Sequence, residues 1–397
     1  MIKSEAPILA SLHDCISGSD LIRSVHTNLD DSLHKLPSLL RGYTGYIEPW
    51  IEYHEDALII PHISTQHLGL GQNKIENVAF SVKTGAPISI ANHVKTLYNE
   101  YVNPTLDQLY GYLGNCTTIP FGIYAGTCNP HWGHFALETL PRLALLSAHL
   151  KRYDQAPIYF NTWKTNDSTS LPQRLLKAPY VDYFNSLGID LGRIRVINRP
   201  INIKHMLVSS SASVLSGQVN YFSLDSIQRV RHLSQFMSDQ LASQDFNDDT
   251  YSRIYLSRRS LTNPIQGRRL INEKEIEDIF SSMGFKVVDP SLLSSEISKQ
   301  AILSKAVVIA GCAGSGLLNS VFATKATHTI ILTSPKSIKI NPATHQQIQL
   351  DRACGIKSHL FVGDQLDPKD DSEDAWAINV SQFRIFLEEI LRAHVIK

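Results

Sequence analysis

The sequence predicts an α/β fold with a parallel sheet in the C-terminal half of the chain. Short, largely apolar segments, as expected of strands covered on both faces, occur at 253–257, 306–310 and 329–332. Amphipathic stretches of about 10–15 residues separate them, and glycines stand where a strand passes into the next helix. This alternation is typical of right-handed βαβ units, in which neighbouring strands are parallel.

The other elements of the C-terminal half continue this alternation. A helix at 272–283 has Asn272 as its N-cap and Glu275 at the position of a capping box, and Gly284 ends it. Further strands are predicted at 286–288 and 359–362, and further helices at 295–305, 314–323, 346–354 and 380–394. An acidic loop at 364–374 is expected to be a solvated connection.

The first half of the chain is less regular. Predicted strands at 46–51, 57–63 and 77–82 precede a helix at 91–112. A buried strand at 116–125 then leads into an amphipathic helix at 131–151, which Pro141 is expected to kink or shorten. The remaining predicted elements are strands at 156–160, 193–198 and 205–209 and helices at 181–187 and 224–244.

The length of 397 residues is sufficient for two domains, and a polar stretch at 243–250 is the predicted linker. We therefore expect an N-terminal domain at 1–245 and a C-terminal α/β domain at 246–375. A last helical segment at 376–397 follows. One hypothesis is that it packs back onto the N-terminal domain.

The composition excludes several classes of partner. Lys and Arg together number 37, as do Asp and Glu, so no overall field favours nucleic acid or an anionic membrane. No apolar stretch has the length of a membrane span, and the first residues lack the apolar region of a signal peptide. We expect a cytoplasmic protein, with peripheral attachment to the inner membrane left open. Five scattered cysteines without a CxxC spacing agree with a reducing compartment: Cys15, Cys116, Cys128, Cys312 and Cys354.

A glycine-rich turn follows the strand at 306–310. Gly311, Gly314 and Gly316 let the backbone approach a ligand, and the helix predicted after them would offer free N–H groups to a phosphate. Open α/β sheets bind ligands at this carboxyl end of their strands. The GxxGxG spacing is neither the dinucleotide fingerprint nor a Walker loop, which argues against an oxidoreductase. The alternative is a tight turn whose glycines serve packing alone.

Arginines are concentrated around the strand at 253–257, with no acidic residue between them and Glu273. Arg258 and Arg259 follow that strand, so we expect them at the same sheet edge as the glycine turn. Guanidinium groups bind diphosphates in a bidentate manner. The alternative is a surface face paired with acids elsewhere. The arginines are Arg253, Arg258, Arg259, Arg268 and Arg269.

The third candidate site is the segment NPHWGHFALE at 129–138. His134 and Glu138 are four residues apart and share a helix face, so the carboxylate can orient or charge the imidazole of a general base. His131, His134 and Glu138 also permit a metal site, although no fourth ligand is evident. In a third interpretation Asn129 caps the helix and His131 only packs.

This segment resembles a pattern of glycosyltransferase family 61. The block NPHWGHFALETLPRLALL is similar to the family's N-x-G-H-h-h-x-[DE]-x-L-P-R-L, where h is hydrophobic. Later blocks match in order, although each is weak alone: RIYLSRR, RRLINEKEI, MGFKVVDP, GCAGSGLLNSVFA and WAINVSQFRIFLEEIL. The resemblance extends over residues 120–390, and residues 1–110 are not matched.

The resemblance implies a GT-B fold, in which two Rossmann-like domains face each other across a cleft. The C-terminal domain would bind the nucleotide sugar and the N-terminal domain the acceptor. Transfer would be inverting and need no metal or other cofactor, because arginines and a helix dipole neutralise the phosphates. Glu138 is favoured as the base with His134 in substrate contact, although these roles are exchangeable. His131 and Asn129 would support the acceptor side, and the donor would be bound by Arg258, Arg259, Gly314, Ser315, Gly316 and Asn319.

Two departures from the family pattern concern the donor. Ala313 stands where the family turn often has His, and Thr333 ends a strand that often ends in Glu. A UDP-sugar is the favoured donor, and a CMP-sugar, with one phosphate fewer, is the alternative. The expected acceptor is a surface-polysaccharide or lipopolysaccharide intermediate. The second functional hypothesis is a non-catalytic module that binds sugar nucleotides or glycans.

Overall fold

The structure is a computed structural model of the 397-residue chain. It describes residues 12–17, 26–28, 41–45, 50–61, 74–75, 79–88, 101–102, 105–129, 131–162, 173–177, 179–210, 213–215, 219–239, 251–260, 270–293, 295–340, 343–366 and 375–393. Several features named in the sequence analysis lie outside these ranges: the predicted linker at 243–250, Arg268, Arg269 and most of the predicted acidic loop.

The strands of the first half are β1 (Leu12–Ser17), β2 (His26–Thr27), β3 (Arg41–Gly45), β4 (Ile51–Ile59), β5 (Lys74–Ile75), β6 (Ala79–Ser81), β7 (Tyr101–Val102), β8 (Thr117–Cys128), β9 (Ile158–Thr162), β10 (Ile194–Val196), β11 (Ile201–Ser209), β12 (Ser213–Leu215) and β13 (Val219–Ser223). Those of the second half are β14 (Arg253–Leu256), β15 (Lys286–Val288), β16 (Val308–Cys312), β17 (His328–Thr333), β18 (Lys357–Val362), β19 (Asp364–Gln365) and β20 (Trp376–Ala377).

The α-helices are α1 (Leu106–Gly114), α2 (Trp132–His134), α3 (Leu140–Arg152), α4 (Tyr180–Ser186), α5 (Leu224–Asp239), α6 (Glu273–Ser282), α7 (Glu296–Leu303), α8 (Pro335–Ile340), α9 (Ala343–Ala353) and α10 (Val380–Ala393). A π-helical turn, Phe135–Thr139, joins α2 to α3, and short 3₁₀ segments occur at Leu191–Arg193, Pro290–Leu292 and Leu317–Phe322. No described helix is long and apolar enough to cross a membrane.

The chain divides into two compact units whose boundary differs from the predicted one. Unit 1 comprises Met1–His13 and Gly45–Leu233, and unit 2 comprises Asp14–Thr44 and Ser234–Lys397. The boundary therefore lies within α5 and not at residue 245. Unit 2 also gains an early segment, because β2 pairs with β18 and Asn28 hydrogen-bonds both backbone groups of Val362. A contact between segments so far apart in the chain cannot be recognised from a local sequence pattern.

Six described strands of unit 1 form a sheet of order β10-β9-β8-β11-β4-β6. The neighbours from β10 to β11 are parallel, whereas β4 and β6 are each antiparallel to the strand before them. Counted from β8, the parallel strands have the order 3-2-1-4. The topological switch point, where open α/β sheets bind ligands, therefore lies between β8 and β11.

In unit 2, six of the described strands form a parallel sheet of order β15-β14-β16-β17-β18-β2. Counted from β14, the first five have the order 2-1-3-4-5, a doubly wound arrangement with its switch point between β14 and β16. The α/β class is thus confirmed. The predicted parallel sheet of the C-terminal half is present.

The C-terminal helix α10 contributes to the core of unit 2. Phe383 packs edge-to-face against Phe280 of α6 and Phe361 of β18, with ring centroids 5.3 and 5.1 Å apart. Phe383, Phe386, Leu387 and Ile390 are all buried there. These contacts make α10 part of the core of unit 2.

Two local predictions in unit 2 are wrong. Asn272 occupies the predicted N-cap position of α6, but the predicted capping box is absent, because its amide instead pairs with both backbone groups of Ile378, a residue distant in sequence. The helix expected at 314–323 is a 3₁₀ segment that begins only at Leu317. Its i→i−3 bonding, from Leu317 N–H to the carbonyl of Gly314, agrees with the low helix propensity of the glycines before it.

Candidate active site

The first candidate cluster follows the carboxyl end of β8, beside the switch point of unit 1. Asn129 comes directly after the strand, and its Oδ1 accepts a hydrogen bond of 2.9 Å from the N–H of His131. His131 occupies the N-cap position of α2 without a side-chain cap, so the predicted cap by Asn129 is replaced by this local turn. The rings of His131 and His134 meet edge-to-face with centroids 5.8 Å apart.

Aromatic packing determines how this helix leaves the sheet. Trp132 lies against Phe135 and Tyr183, with ring centroids 6.0 and 5.8 Å apart. Phe135 is fully buried and meets Tyr180 edge-to-face at 4.7 Å. Trp132 and Phe135 thus pack on α4, and His134 between them in the chain is half-buried.

The π-helical turn explains how Pro141 is accommodated. The N–H of Leu140 donates to the carbonyl of Phe135, five residues back, and Pro141 then stands in the first turn of α3, where its missing N–H breaks no bond. A π turn before Pro141 thus takes the place of the predicted kink, and the helix continues beyond it as α3. Such turns occur often at functional sites.

His134 and Glu138 form a short charged contact within this cluster. Nδ1 of His134 lies 2.6 Å from Oε2 of Glu138, and the side chains are 28% and 8% exposed. Burial lowers the pKa of His134, but the charge of Glu138 and its hydrogen bond together outweigh that effect, so the pKa is raised. The pair therefore favours an imidazolium beside a carboxylate.

Arg142 is a third charged member of the cluster; it belongs to the L-P-R-L end of the family pattern but was not among the expected site residues. Its guanidinium is buried and interacts electrostatically with Glu138 and with the hydroxyl of Tyr124. Burial raises the pKa of Tyr124 to about 12, although the charge of Arg142 and the neighbouring polar side chains of Asn161 and Thr127 lower it in part. Two signals in the sequence point to it: its spacing of four residues from Glu138 and its place in the L-P-R-L end of the family pattern.

The guanidinium of Arg142 approaches the backbone of β8 at Gly126, where a Cβ atom would overlap with it. A Cβ on Gly126 would stand 2.0 Å from Nη1 of Arg142, and the residue has φ of +84°. Gly126 lies at an irregularity of β8, where the pairing with β9 shifts register. Backbone conformation and close approach both require glycine at this position.

The second candidate cluster lies at the switch point of unit 2. Leu256 pairs with Gly311, so the residues after β14 and the glycine turn after β16 leave the sheet at the same edge. Gly314 has φ of 138°, and the amide of Asn319 donates to the carbonyl of Gly316 over 2.7 Å, which closes the turn. The N–H groups of Leu317 and Leu318 donate to Gly314, so they point into the turn.

Two buried carboxylates hold the arginines after β14. Oε1 of Glu277 accepts from the hydroxyl of Ser257 over 2.6 Å, and its other oxygen lies 3.5 Å from Nε of the exposed Arg259. Glu273 accepts from the N–H of Arg258. Nη1 of Arg258 is buried and has no hydrogen-bond partner among the described residues. A buried guanidinium nitrogen in this state suits an anion.

The thiol of Cys312, at the end of β16, lies where the charges of Glu273 and Arg258 affect it. Burial raises the pKa of Cys312 to about 12, Glu273 raises it further and Arg258 lowers it. The charge of Arg258 therefore acts at the end of β16, directly before Ala313 and Gly314. Arg253 begins β14 and lies at the opposite sheet edge, where Nη1 contacts the carbonyl of Met283.

The structure thus assembles the expected residues in two groups, one in each unit. Asn129, His131, His134 and Glu138 belong to unit 1, and Arg258, Arg259 and the glycine turn belong to unit 2. Sequence reasoning did not identify Arg142, Glu273 or Glu277 as part of the sites. Among the described residues, no three His, Cys, Asp or Glu side chains are grouped so that they could hold a metal ion.

Comparison with known proteins adds one finding. A family model described as glycosyltransferase 61 matches residues 132–330. The match includes His134, Glu138, Arg142, Arg258 and the glycine turn, begins after His131, and ends earlier than the resemblance suggested. A search of curated proteins finds no match to the chain.

Proposed function

Since the chain belongs to the glycosyltransferase 61 family and is a glycosyltransferase, we propose that it transfers a sugar from a nucleotide sugar with inversion and without a catalytic metal. The proposed acceptor is a hydroxyl of a surface-polysaccharide or lipopolysaccharide intermediate, and the favoured donor is a UDP-sugar. We further propose a GT-B arrangement in which unit 1 binds the acceptor and unit 2 the donor. The reaction would take place in the cytoplasm or at the inner membrane surface.

The contact between His134 and Glu138 is the observation that carries the proposal. Glu138 is the more buried partner and already engages His134 through Oε2, so it is poorly placed to reach a substrate. The geometry favours His134 as the base and Glu138 as the group that orients and stabilises the imidazolium. This exchanges the roles that the sequence favoured.

In the proposed step the acceptor hydroxyl gives its proton to the imidazole of His134 as its oxygen attacks the anomeric carbon. The bond from that carbon to the phosphate oxygen breaks on the opposite face, and the nucleoside phosphate leaves with the bonding electron pair. Glu138 stabilises the charge that His134 gains. One displacement inverts the configuration.

Arg258 supports the donor half of the proposal. Its buried, unpaired Nη1 lies in a loop next to the glycine turn and among the described residues lacks any acceptor, so a phosphate oxygen would satisfy it. Because the expected α-helix after the turn is a short 3₁₀ segment, the proposal relies on the guanidinium groups and the turn, and not on a helix dipole.

The test is release of nucleoside phosphate from UDP- and CMP-sugars by the full chain, with glycan acceptors, combined with calorimetric titration of UDP and CMP. We expect Glu138→Gln and His134→Ala to lower kcat by about 10²–10⁴-fold, with unchanged affinity for the nucleotide. His149→Ala, on the same helix, is the control and should retain activity. Arg258→Met should weaken nucleotide binding, whereas Arg253→Met, at the other end of β14, should not.

Several outcomes would contradict the proposal. Absence of binding by both UDP and CMP would reject the donor site. Tight binding without turnover would favour the non-catalytic alternative. Loss of activity on addition of EDTA, or a product with the anomeric configuration of the donor, would reject metal independence or inversion respectively.

A further inference from the structure

We infer that Asp351, a buried carboxylate of α9, is a positioning residue of the proposed donor site, which holds the glycine turn in place through Ser320. The inference rests on the proposed function, in which this turn receives the donor phosphates. Asp351 and Ser320 are both 0% exposed, so neither is placed to touch a substrate. They would act on the donor through the position of the turn.

The argument begins with the contact between the two side chains. Oδ1 of Asp351 accepts a hydrogen bond of 3.2 Å from the hydroxyl of Ser320. The amide of Gln347 donates to the same carboxylate oxygen over 2.7 Å and to the hydroxyl oxygen of Ser320 over 2.8 Å. The three side chains therefore form a closed triangle, in which the hydroxyl of Ser320 has both an acceptor and a donor.

The other oxygen of the carboxylate is bonded to the sheet. Oδ2 of Asp351 accepts from the hydroxyl of Ser358 on β18 over 2.8 Å and from the hydroxyl of Thr329 on β17. Thr329 and Ser358 are directly paired residues of these neighbouring parallel strands. The two carboxylate oxygens thus accept four hydrogen bonds, about as many as they have lone pairs. This bonding fixes the carboxylate relative to the sheet of unit 2.

Ser320 connects this carboxylate to the glycine turn. It lies in the 3₁₀ segment that follows the turn, directly after Asn319, whose amide donates to the carbonyl of Gly316 over 2.7 Å. The first two N–H groups of the same segment donate to the carbonyl of Gly314. These bonds are local and fix the internal shape of the turn, whereas the bond from Ser320 to Asp351 fixes the turn relative to α9 and the sheet.

The ionised form of this carboxylate is costly to bury. Burial raises the pKa of Asp351 to about 6, although the four hydrogen bonds lower it in part. At neutral pH the ionised group is therefore less favourable in the folded chain than in the unfolded one. Stability alone does not explain such a group, since an apolar side chain of similar size often fills a buried position at a lower cost. Directional hydrogen bonds do explain it, because they restrict how the joined segments move.

The test is hydrogen–deuterium exchange of the full chain without ligand, measured by mass spectrometry over residues 311–319. Ser320→Ala removes the bond to Asp351, so the amides of the turn should exchange about 2–12-fold faster, the effect of losing one hydrogen bond. Asp351→Asn keeps the size of the side chain and removes its charge. A neutral acceptor forms a weaker hydrogen bond, so exchange should rise in this variant too, by a smaller factor.

Ser304→Ala is the matched control. Ser304 is also a buried serine of unit 2, and its hydroxyl contacts the hydroxyl of Ser238 and donates to the carbonyl of Ala301. It lies before β16, at the sheet edge opposite the glycine turn. Ser304→Ala and Ser320→Ala should both lower the melting temperature, and only Ser320→Ala should accelerate exchange over residues 311–319.

Two results of the exchange experiment would overturn the inference. Equal exchange of the turn in Ser320→Ala and Ser304→Ala would mean that the network serves stability alone. Unchanged exchange in Asp351→Asn would mean that Ser320 is held by Gln347 and not by the carboxylate.

Calorimetric titration with UDP and CMP connects the turn to the donor. A turn that is no longer fixed must be ordered when the phosphates bind, so Ser320→Ala should weaken nucleotide binding by up to about 12-fold. Ser304→Ala should not weaken it. Equal affinities of the two variants, with the expected exchange, would overturn the role of Asp351 in the donor site. If the wild type binds neither nucleotide, the proposed function fails, and the exchange experiment still decides whether Asp351 holds the turn.

Discussion

The backbone N–H of Arg258 donates to Oε1 of Glu273 over 2.8 Å, and the hydroxyl of Tyr255 donates to the same oxygen over 3.1 Å. One buried carboxylate thus connects the end of β14 to the first turn of α6. Burial raises the pKa of Glu273, whereas the bonds from Arg258 and Tyr255 lower it in part. The carboxylate of Glu273 therefore fixes the backbone at the start of the loop that carries the proposed donor arginines, Arg258 and Arg259.

The first prediction is that Glu273→Ala destabilises unit 2 and weakens nucleotide binding. The variant leaves two donors without an acceptor, each worth about 1–3 kcal/mol, so we expect a loss of about 2–6 kcal/mol of unfolding free energy. Urea denaturation measures this loss, and calorimetry with UDP measures the affinity. Glu275→Ala, an exposed position on the same helix, should change neither quantity appreciably. Equal effects of the two substitutions would contradict the role given to Glu273.

A second buried carboxylate, Asp351 of α9, makes the stability of unit 2 depend on pH. It accepts hydrogen bonds from Thr329, Ser358, Ser320 and Gln347. Burial nevertheless raises its pKa to about 6, against the smaller effect of these bonds. The folded state therefore binds a proton more tightly than the unfolded state does.

We predict that Asp351 adds stability as the pH falls from 7 to 4. Its contribution is fully present below the unfolded pKa and is lost as the pH rises through the folded value near 6. A shift of two pKa units corresponds to about 2–3 kcal/mol. Urea denaturation of wild type and Asp351→Asn between pH 4 and 7 measures the difference. A wild type and variant with parallel pH profiles would show that Asp351 ionises normally.

The third prediction concerns the glycine beneath Arg142. Gly126→Ala introduces strain at φ of +84° and an overlap with the guanidinium, which together should lower the unfolding free energy by about 2–4 kcal/mol. Gly188→Ala is the control, since φ is +69° there but no atom lies within 4 Å of the added Cβ. It should cost only the backbone strain of about 1–2 kcal/mol. Thermal denaturation with circular dichroism distinguishes the two, and equal losses would mean that the overlap is relieved at no cost.

Much of the fold could be predicted because its signals are local. The alternation of apolar strands and amphipathic helices after residue 250 indicates a parallel sheet, and Gly284, at φ of +82°, ends α6 as expected. The strand order and the membership of Asn28 in unit 2 could not be predicted. Both depend on pairings between segments that are distant in the sequence. Backbone hydrogen bonds between such segments do not depend on residue type, so they leave no pattern in the sequence.

The same division applies to the candidate sites. His134 and Glu138 could be paired from sequence because a helix brings residues four apart together. The capping box at Asn272 was predicted on equally local grounds and is wrong, since the amide finds the backbone of Ile378 instead. A local pattern therefore predicts a contact only where no distant group competes for the same atoms.

By itself, the sequence determined the α/β class, the helical pair His134–Glu138, the arginines that follow β14 and the family pattern that they share. Only the tertiary structure decided that Arg142 lies on Gly126 and that Glu273 holds the backbone of Arg258. The physical reason is range: helix periodicity acts over one turn of chain, whereas burial and close approach depend on which segments the fold brings together.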